Sequence, residues 1–144
     1  MNVNNFEHKH SAHCESGVMS SILRNSGIDI SEAMVFGIAE ALTFAYLPFL
    51  KMGGMPLIAY RSMPKSIIKK IQKRLNMKMK LETFSSKEKG QQRLDELLNE
   101  GKIVGVQTSV YWLPYFPEEM RFHFNAHNLL VIKKEGDIYE VSDP

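Results

Sequence analysis

His127-Asn128-Leu129-Leu130-Val131-Ile132-Lys133-Lys134-Glu135-Gly136-Asp137-Ile138-Tyr139-Glu140-Val141-Ser142-Asp143 has the outline of an antiparallel hairpin. Two strand-forming runs, roughly 127 to 133 and 137 to 142, flank Lys134-Glu135-Gly136. A three-residue loop commonly ends on a glycine in the left-handed conformation. Such a loop pairs Lys133 with Asp137, Val131 with Tyr139, Leu129 with Val141 and His127 with Asp143. The imidazole and the carboxylate then share a face, with Cβ atoms roughly 5 Å apart. A two-residue turn would instead shift the register and put His127 and Asp143 on opposite faces.

A base held by a carboxylate is what a thiol nucleophile requires, and the chain has one cysteine, Cys14. The periodic residues Cys14, Val18, Met19, Ile22 and Leu23 predict a helix from Cys14 to Ser26, closed by Gly27. A thiol at a helix N-terminus gains from oriented amides and a partial positive charge. The small residues that follow, with Glu15 and Ser16 beside them, would let a substrate approach the backbone. The alternative is that Cys14 is an inert core residue, as free cysteines often are.

Between these ends the chain reads as helices followed mostly by strands. Ser31 caps a second helix, with Ile30 and Val35 placed as a hydrophobic staple. Its apolar residues on most sides predict burial. Residues 43 to 61 read as short strands and turns, with Leu57 to Arg61 as one strand. Pro64 is expected at the first position of a third helix, and Lys78 to Phe84 alternates like a strand. Ser85 and Glu88 suggest a capping box for a fourth helix ending at Gly101. Ile103 to Val110 is a strand, and residues 111 to 117 form an aromatic loop. This order predicts an α+β fold, N-terminal helices packed on an antiparallel sheet.

The 144 residues suffice for a single domain, 1–144, with a real core. A net charge of +2 gives no indication of nucleic-acid binding. No apolar N-terminal targeting segment is visible, and Ala33 to Met52 is interrupted by Glu40, Pro48 and Lys51, so neither secretion nor a membrane span is expected. The lone cysteine excludes an internal disulfide and suits the cytoplasm.

Several further residues invite roles. His8, His10, His13 and Cys14 have metal-ligand chemistry, but no second cluster supports them, and no metal or cofactor is expected. Seven basic and no acidic residues lie between Lys65 and Lys80, either a docking face for an acidic carrier protein or a solvated helix face. Tyr111, Trp112 and Tyr115 could line a substrate pocket or simply pack under the sheet. Glu32 reads as a helix-dipole partner. Arg61 could bind an anion or pair with Glu32.

A cysteine on an early helix, then His and Asp on late neighbouring strands, is the order of papain-like cysteine enzymes. More closely, His13-Cys14-Glu15-Ser16-Gly17, Ser31-Glu32-Ala33-Met34-Val35-Phe36-Gly37, Phe44-Ala45-Tyr46, Tyr111-Trp112-Leu113-Pro114-Tyr115 and His123-Phe124-Asn125-Ala126-His127 together resemble the N-terminal domain of the butirosin biosynthesis protein H family. The resemblance implies a papain-like fold related to bacteriocin-processing cysteine peptidases. It implies acyl transfer from an acyl carrier protein to the amine of a small molecule, with Cys14 as nucleophile, His127 as base and Asp143 as its orienter. Peptidase relatives place an oxyanion-donating Gln six residues before the cysteine. Here that position is His8, so His8 or His10 is the expected donor. Family members usually continue into a second domain, so the chain could be the N-terminal part of a longer protein. A leader-peptide or amide-cleaving peptidase, and a non-catalytic binding domain, are the alternative functions.

Overall fold

The computed structural model describes residues 5–144. Its elements run α1 (Cys14–Asn25), α2 (Glu32–Ile38), β1 (Leu42–Met52), β2 (Met55–Arg61), α3 (Ser66–Arg74), α4 (Lys87–Asn99), β3 (Val104–Thr108), β4 (His127–Glu135) and β5 (Ile138–Ser142). The fold is α+β, with two antiparallel sheets: the β1–β2 ribbon and a three-stranded sheet ordered β3-β4-β5.

β4 is the centre of the larger sheet. Five consecutive residues, Asn128 to Ile132, are buried, so both faces of this strand are covered. α1 covers the face of Leu130, where Gly105 opposite leaves room for Val18 and Ile22. α4 covers the other through Asp95, which accepts from Lys134 Nζ at 2.6 Å and from the Tyr139 hydroxyl at 2.7 Å. A second apolar cluster joins α1, α2 and α3 through Met19, Leu23, Val35, Ala39, Ile67, Ile68 and Ile71. Each large side chain in such a cluster stabilises the fold by roughly 1.5–3 kcal/mol.

The local readings at α1 and at the Ser31 cap match: Ser31 Oγ accepts from the Met34 N–H at 3.2 Å. Of α2, however, only Val35 is fully buried, and Met34 lies outside. The helix lies at the edge of the cluster and shows it one stripe. α3 starts at Ser66, not at Pro64. Lys65 before it is left-handed, with φ 68°, and offers no side-chain cap. The cap comes instead from another helix: Glu15 Oε1 accepts from the Ile67 and Ile68 N–H groups at 3.0 and 3.3 Å.

Lys78 to Phe84 forms no strand. It serves as a connector: Met79, like Met77 just before the segment, packs on the helical cluster, while the Met79 carbonyl accepts from Gln72. The α4 cap is Ser86 rather than Ser85, its Oγ accepting from the Lys89 N–H at 3.2 Å. Gly101, at φ 73°, ends α4 by donating to the Leu98 carbonyl. Residues 42 to 61 form one long hairpin rather than several short strands. Its turn is Gly53-Gly54 with φ 60° and 84°, the doubly left-handed geometry that suits a two-residue loop.

The C-terminal hairpin also differs from expectation. Glu135 pairs with Ile138 across a two-residue turn opened by Gly136 at φ 59°. That turn alone would place odd residues of β4 opposite even residues of β5. A bulge at Ile132 restores the parity, so Val131 faces Val141 and Leu130 faces Ser142. His127 and Asp143 thus end on one face by a different route from a three-residue loop.

Candidate active site

Cys14 opens α1, and His13 caps it. The His13 Nδ1 accepts from the Ser16 N–H at 3.3 Å. Burial, and secondarily the charge of Arg61, lower the pKa of His13, which favours the neutral ring that this cap needs. The segment before the helix is clamped by Glu32. Its carboxylate accepts from the Ala12 and His13 N–H groups, both at 2.8 Å, and from Ser16 Oγ at 2.9 Å. The Cys14 N–H, by contrast, has no acceptor among the described residues, and orphan donors at a helix start are available to an anion.

Cys14 is partly exposed. Burial pushes its thiol up, but hydrogen bonds from His127 and Asn128 and the charge of His127 outweigh that, and the net pKa is lowered. Asn128 is almost fully buried. Its Nδ2 lies 3.7 Å from Sγ and donates to the Ala126 carbonyl at 3.0 Å.

His127 begins β4. Its Nε2 lies 2.8 Å from both Asp143 oxygens. The Asp143 carboxylate, then the thiol, raise the His127 pKa to about 9. A lowered thiol beside a raised imidazole shifts the pair toward the thiolate–imidazolium form. Phe116 packs edge-on to His127, ring centroids 5.8 Å apart, and shields the ring from water. The Tyr115 hydroxyl donates to Asp143 Oδ2 at 2.8 Å, and burial together with that carboxylate pushes its own pKa up.

The structure therefore brings Cys14, His127 and Asp143 together, and it disperses the other sequence candidates. Glu15 is wholly buried and bonded to α3 and to Arg61, the latter at 3.2 Å, so it does not face a substrate. Arg61 accordingly pairs with Glu15, not Glu32. Ser16 is buried against Glu32. The smallness of Gly17 serves packing: a Cβ there would lie 2.6 Å from the Cβ atoms of both Pro144 and Ser11. His8 Nδ1 meets Ser142 Oγ at 2.6 Å, and His10 packs edge-on to His8. Tyr111 stacks on His123 with centroids 4.1 Å apart, Trp112 lies edge-on to Tyr111, and both remain exposed. Tyr115 has turned away from that group to Asp143. Among the described residues no three or more His, Cys, Asp or Glu side chains are placed to share a metal ion.

Asn128, Phe116 and His123 are not singled out as site residues by the sequence, and Glu32, expected there as a helix-dipole partner, instead holds the segment before α1. Asn128 had one available signal, a polar residue in an otherwise apolar strand.

The family model for butirosin biosynthesis protein H, N-terminal, matches residues 13–144, from the cap of α1 to the residue after Asp143. The chain belongs to this family. Cys14, His127 and Asp143 all lie inside the matched residues. No curated protein and no solved structure matches the chain. No helix among the described residues is long and apolar enough to cross a membrane.

Proposed function

We propose that this chain is a papain-like cysteine acyltransferase of small-molecule biosynthesis. The observation that carries this reading is the Cys14 thiol at a helix start, lowered in pKa beside a His127 held by Asp143. The Cys14 thiolate attacks the carbonyl of an acyl thioester. The oxygen, now negative, is held by the Cys14 N–H. The intermediate collapses to acyl-Cys14, and the departing thiol takes the proton from the His127 imidazolium. An amine then attacks acyl-Cys14, and His127 receives the amine proton as the Cys14 thiolate leaves, restoring the ion pair. Asp143 keeps the ring oriented throughout. Water in place of the amine gives hydrolysis by the same route.

An acyl carrier protein is the proposed donor. Of the seven cations between Lys65 and Lys80, Lys70 and Arg74 pair with Glu40, and Lys80 pairs with Glu82. Lys65, Lys69, Lys73 and Lys78 remain without a carboxylate among the described residues, which suits an acidic partner. Exposed Tyr111 and Trp112 offer contact area to a small-molecule amine acceptor. A free thiolate nucleophile suits a reducing, cytoplasmic setting.

The test is to mix the protein with a pantetheine thioester and look for an acyl adduct by intact-mass spectrometry, then map it. An adduct on Cys14, discharged by added amine and lost in Cys14→Ser, is expected. Turnover retained in Cys14→Ser would refute the assignment. Cleavage of a peptide substrate with no thioester reaction would favour a peptidase.

A further inference from the structure

Residues 109 to 126 join β3 to β4 and bring two consecutive side chains to the His127–Asp143 contact. The Tyr115 hydroxyl donates to Asp143 Oδ2 at 2.8 Å, and the Phe116 ring lies edge-on to His127 with centroids 5.8 Å apart. The two rings also lie against each other, centroids 5.3 Å apart. Adjacent side chains of an extended chain point to opposite sides, so the backbone must turn for both to meet one pair. It turns at Pro114-Tyr115, where the Phe116 N–H donates to the Leu113 carbonyl at 3.1 Å. Proline suits the first central position of such a turn. Burial does not hold Tyr115 there, since half of it is exposed. A polar contact does. Arg121 follows the single helical turn Glu118–Met120 and reaches back along the loop. Its Nη2 donates to the Pro114 carbonyl at 2.6 Å and its Nε to the Phe116 carbonyl at 2.7 Å.

We propose that Arg121 is a positioning residue: its guanidinium clamps the two carbonyls that flank Tyr115, and so holds Tyr115 on Asp143 and Phe116 on His127. The inference rests on the reading of His127 as the base and Asp143 as its orienter. The geometry suits arginine alone. Nε–H and Nη2–H lie along one edge of the planar fork and donate in parallel, whereas a lysine ammonium is a point charge without that paired edge. Glu118 and Glu119 are near in sequence, yet the side chain turns to backbone. The clamp acts on the pair in two ways. With Oδ2 fixed by the phenol, the Asp143 carboxylate stays aimed at Nε2. With Phe116 over the ring, less water reaches the contact, and the hydrogen bond is stronger for it. When the clamp is released, water replaces the phenol as donor. Asp143 then keeps its charge but loses its fixed direction.

The experiment is NMR titration of the His127 ring in the full chain, its signal assigned by its absence from His127→Ala. The titratable groups that act on the ring are Asp143 and Cys14, and Tyr115 acts on Asp143. The wild type should titrate at about 9. In Arg121→Ala the midpoint should fall by about half a unit or more. The Asp143 hydrogen bond is the largest cause of the raised value, so its loosening outweighs the relief of burial. Loss of a positive charge by itself would move the midpoint up, so the sign separates positioning from a charge acting at a distance. Arg121→Lys keeps the charge but not the paired donors, and should fall likewise. Tyr115→Ala/Phe116→Ala should reproduce the fall, and adding Arg121→Ala to it should move the midpoint no further. If Arg121→Ala does not fold, Arg121→Lys decides. An unchanged or raised midpoint in the Arg121 variants, or a further fall in the triple variant, would overturn this inference alone. A wild-type His127 that titrates at the ordinary 6.5 would overturn the reading of the pair, and this inference with it.

Discussion

His127 Nε2 lies 2.8 Å from each carboxylate oxygen of Asp143, although the strand register, extended beyond Ser142, sets Asp143 opposite Leu129. The contact is diagonal across the strands. It holds because the two residues share a face and the imidazole is long enough to span the offset. The ring that lowers the Cys14 pKa is thus positioned by a hairpin end far from Cys14 in sequence.

Thiol reactivity should reveal that pair. The lowered Cys14 pKa and a His127 pKa of about 9 both move the pair toward the thiolate–imidazolium form. Alkylation by iodoacetamide should stay fast well below pH 8. In His127→Ala the rate should follow an ordinary thiol titration and drop about tenfold or more near pH 7, the equivalent of one pKa unit. An unchanged pH profile in the variant would rule out the coupling.

Asn128 should contribute separately. Its Nδ2 faces Sγ from a buried position, and a hydrogen bond to a charged group contributes about 1.5–3 kcal/mol. Asn128→Asp replaces that donor with an acceptor and should raise the Cys14 pKa, slowing alkylation at neutral pH by roughly tenfold or more. Rate against pH distinguishes a raised pKa, which moves the curve, from mere loss of folded protein, which lowers it uniformly.

Stability should carry the signature of His127. Its folded pKa is raised above the ordinary 6.5 to about 9. The resulting stabilisation is fully present below pH 6.5 and is lost as pH rises through about 9. Asp143→Asn removes the largest cause of that shift. Melting temperatures measured from pH 6 to 10 should therefore fall more steeply in the wild type than in the variant. Parallel curves would show that Asp143 does not set the His127 pKa.

Glu15→Ala should be among the most damaging substitutions outside the apolar cluster. It uncaps α3 and leaves the mostly buried Arg61 without its carboxylate, and breaking a buried pair costs about 3–5 kcal/mol. Urea unfolding monitors this directly. A loss below about 1 kcal/mol, typical of an exposed pair, would mean the contact is dispensable.

Gly17→Ala tests the seat of Asp143. The added methyl would collide with Pro144 and Ser11, and overpacking of this kind costs roughly 1–3 kcal/mol. Because Pro144 follows Asp143 directly, alkylation of Cys14 at neutral pH should slow together with the loss of stability. Normal reactivity in a destabilised protein would separate packing from site geometry.

Local features were legible in the chain because their determinants lie within a few residues. The start of α1, the Ser31 cap and the glycine end of α4 each rest on one turn of backbone. Readings failed where a distant group intervened. α3 begins at Ser66 because Glu15 supplies its cap from another helix. Lys78 to Phe84 has strand-like alternation, yet Met79 packs instead on the helical cluster and the segment forms no strand. Tyr111, Trp112 and Tyr115 looked alike in sequence, yet only Tyr115 reaches Asp143.

By itself the sequence determined the α+β order of elements, the helix that begins at Cys14, and the placing of His127 at the start of a C-terminal hairpin with Asp143 just past its second strand. Their meeting was decided by tertiary structure. The residues from Leu129 to Ile132 are apolar without alternation, because α1 and α4 bury both faces of β4. Such a run has no period of two, and so no local mark of its register. The bulge at Ile132, which returns Asp143 to the face of His127, is a property of the pairing of β4 with β5 and not of either strand alone.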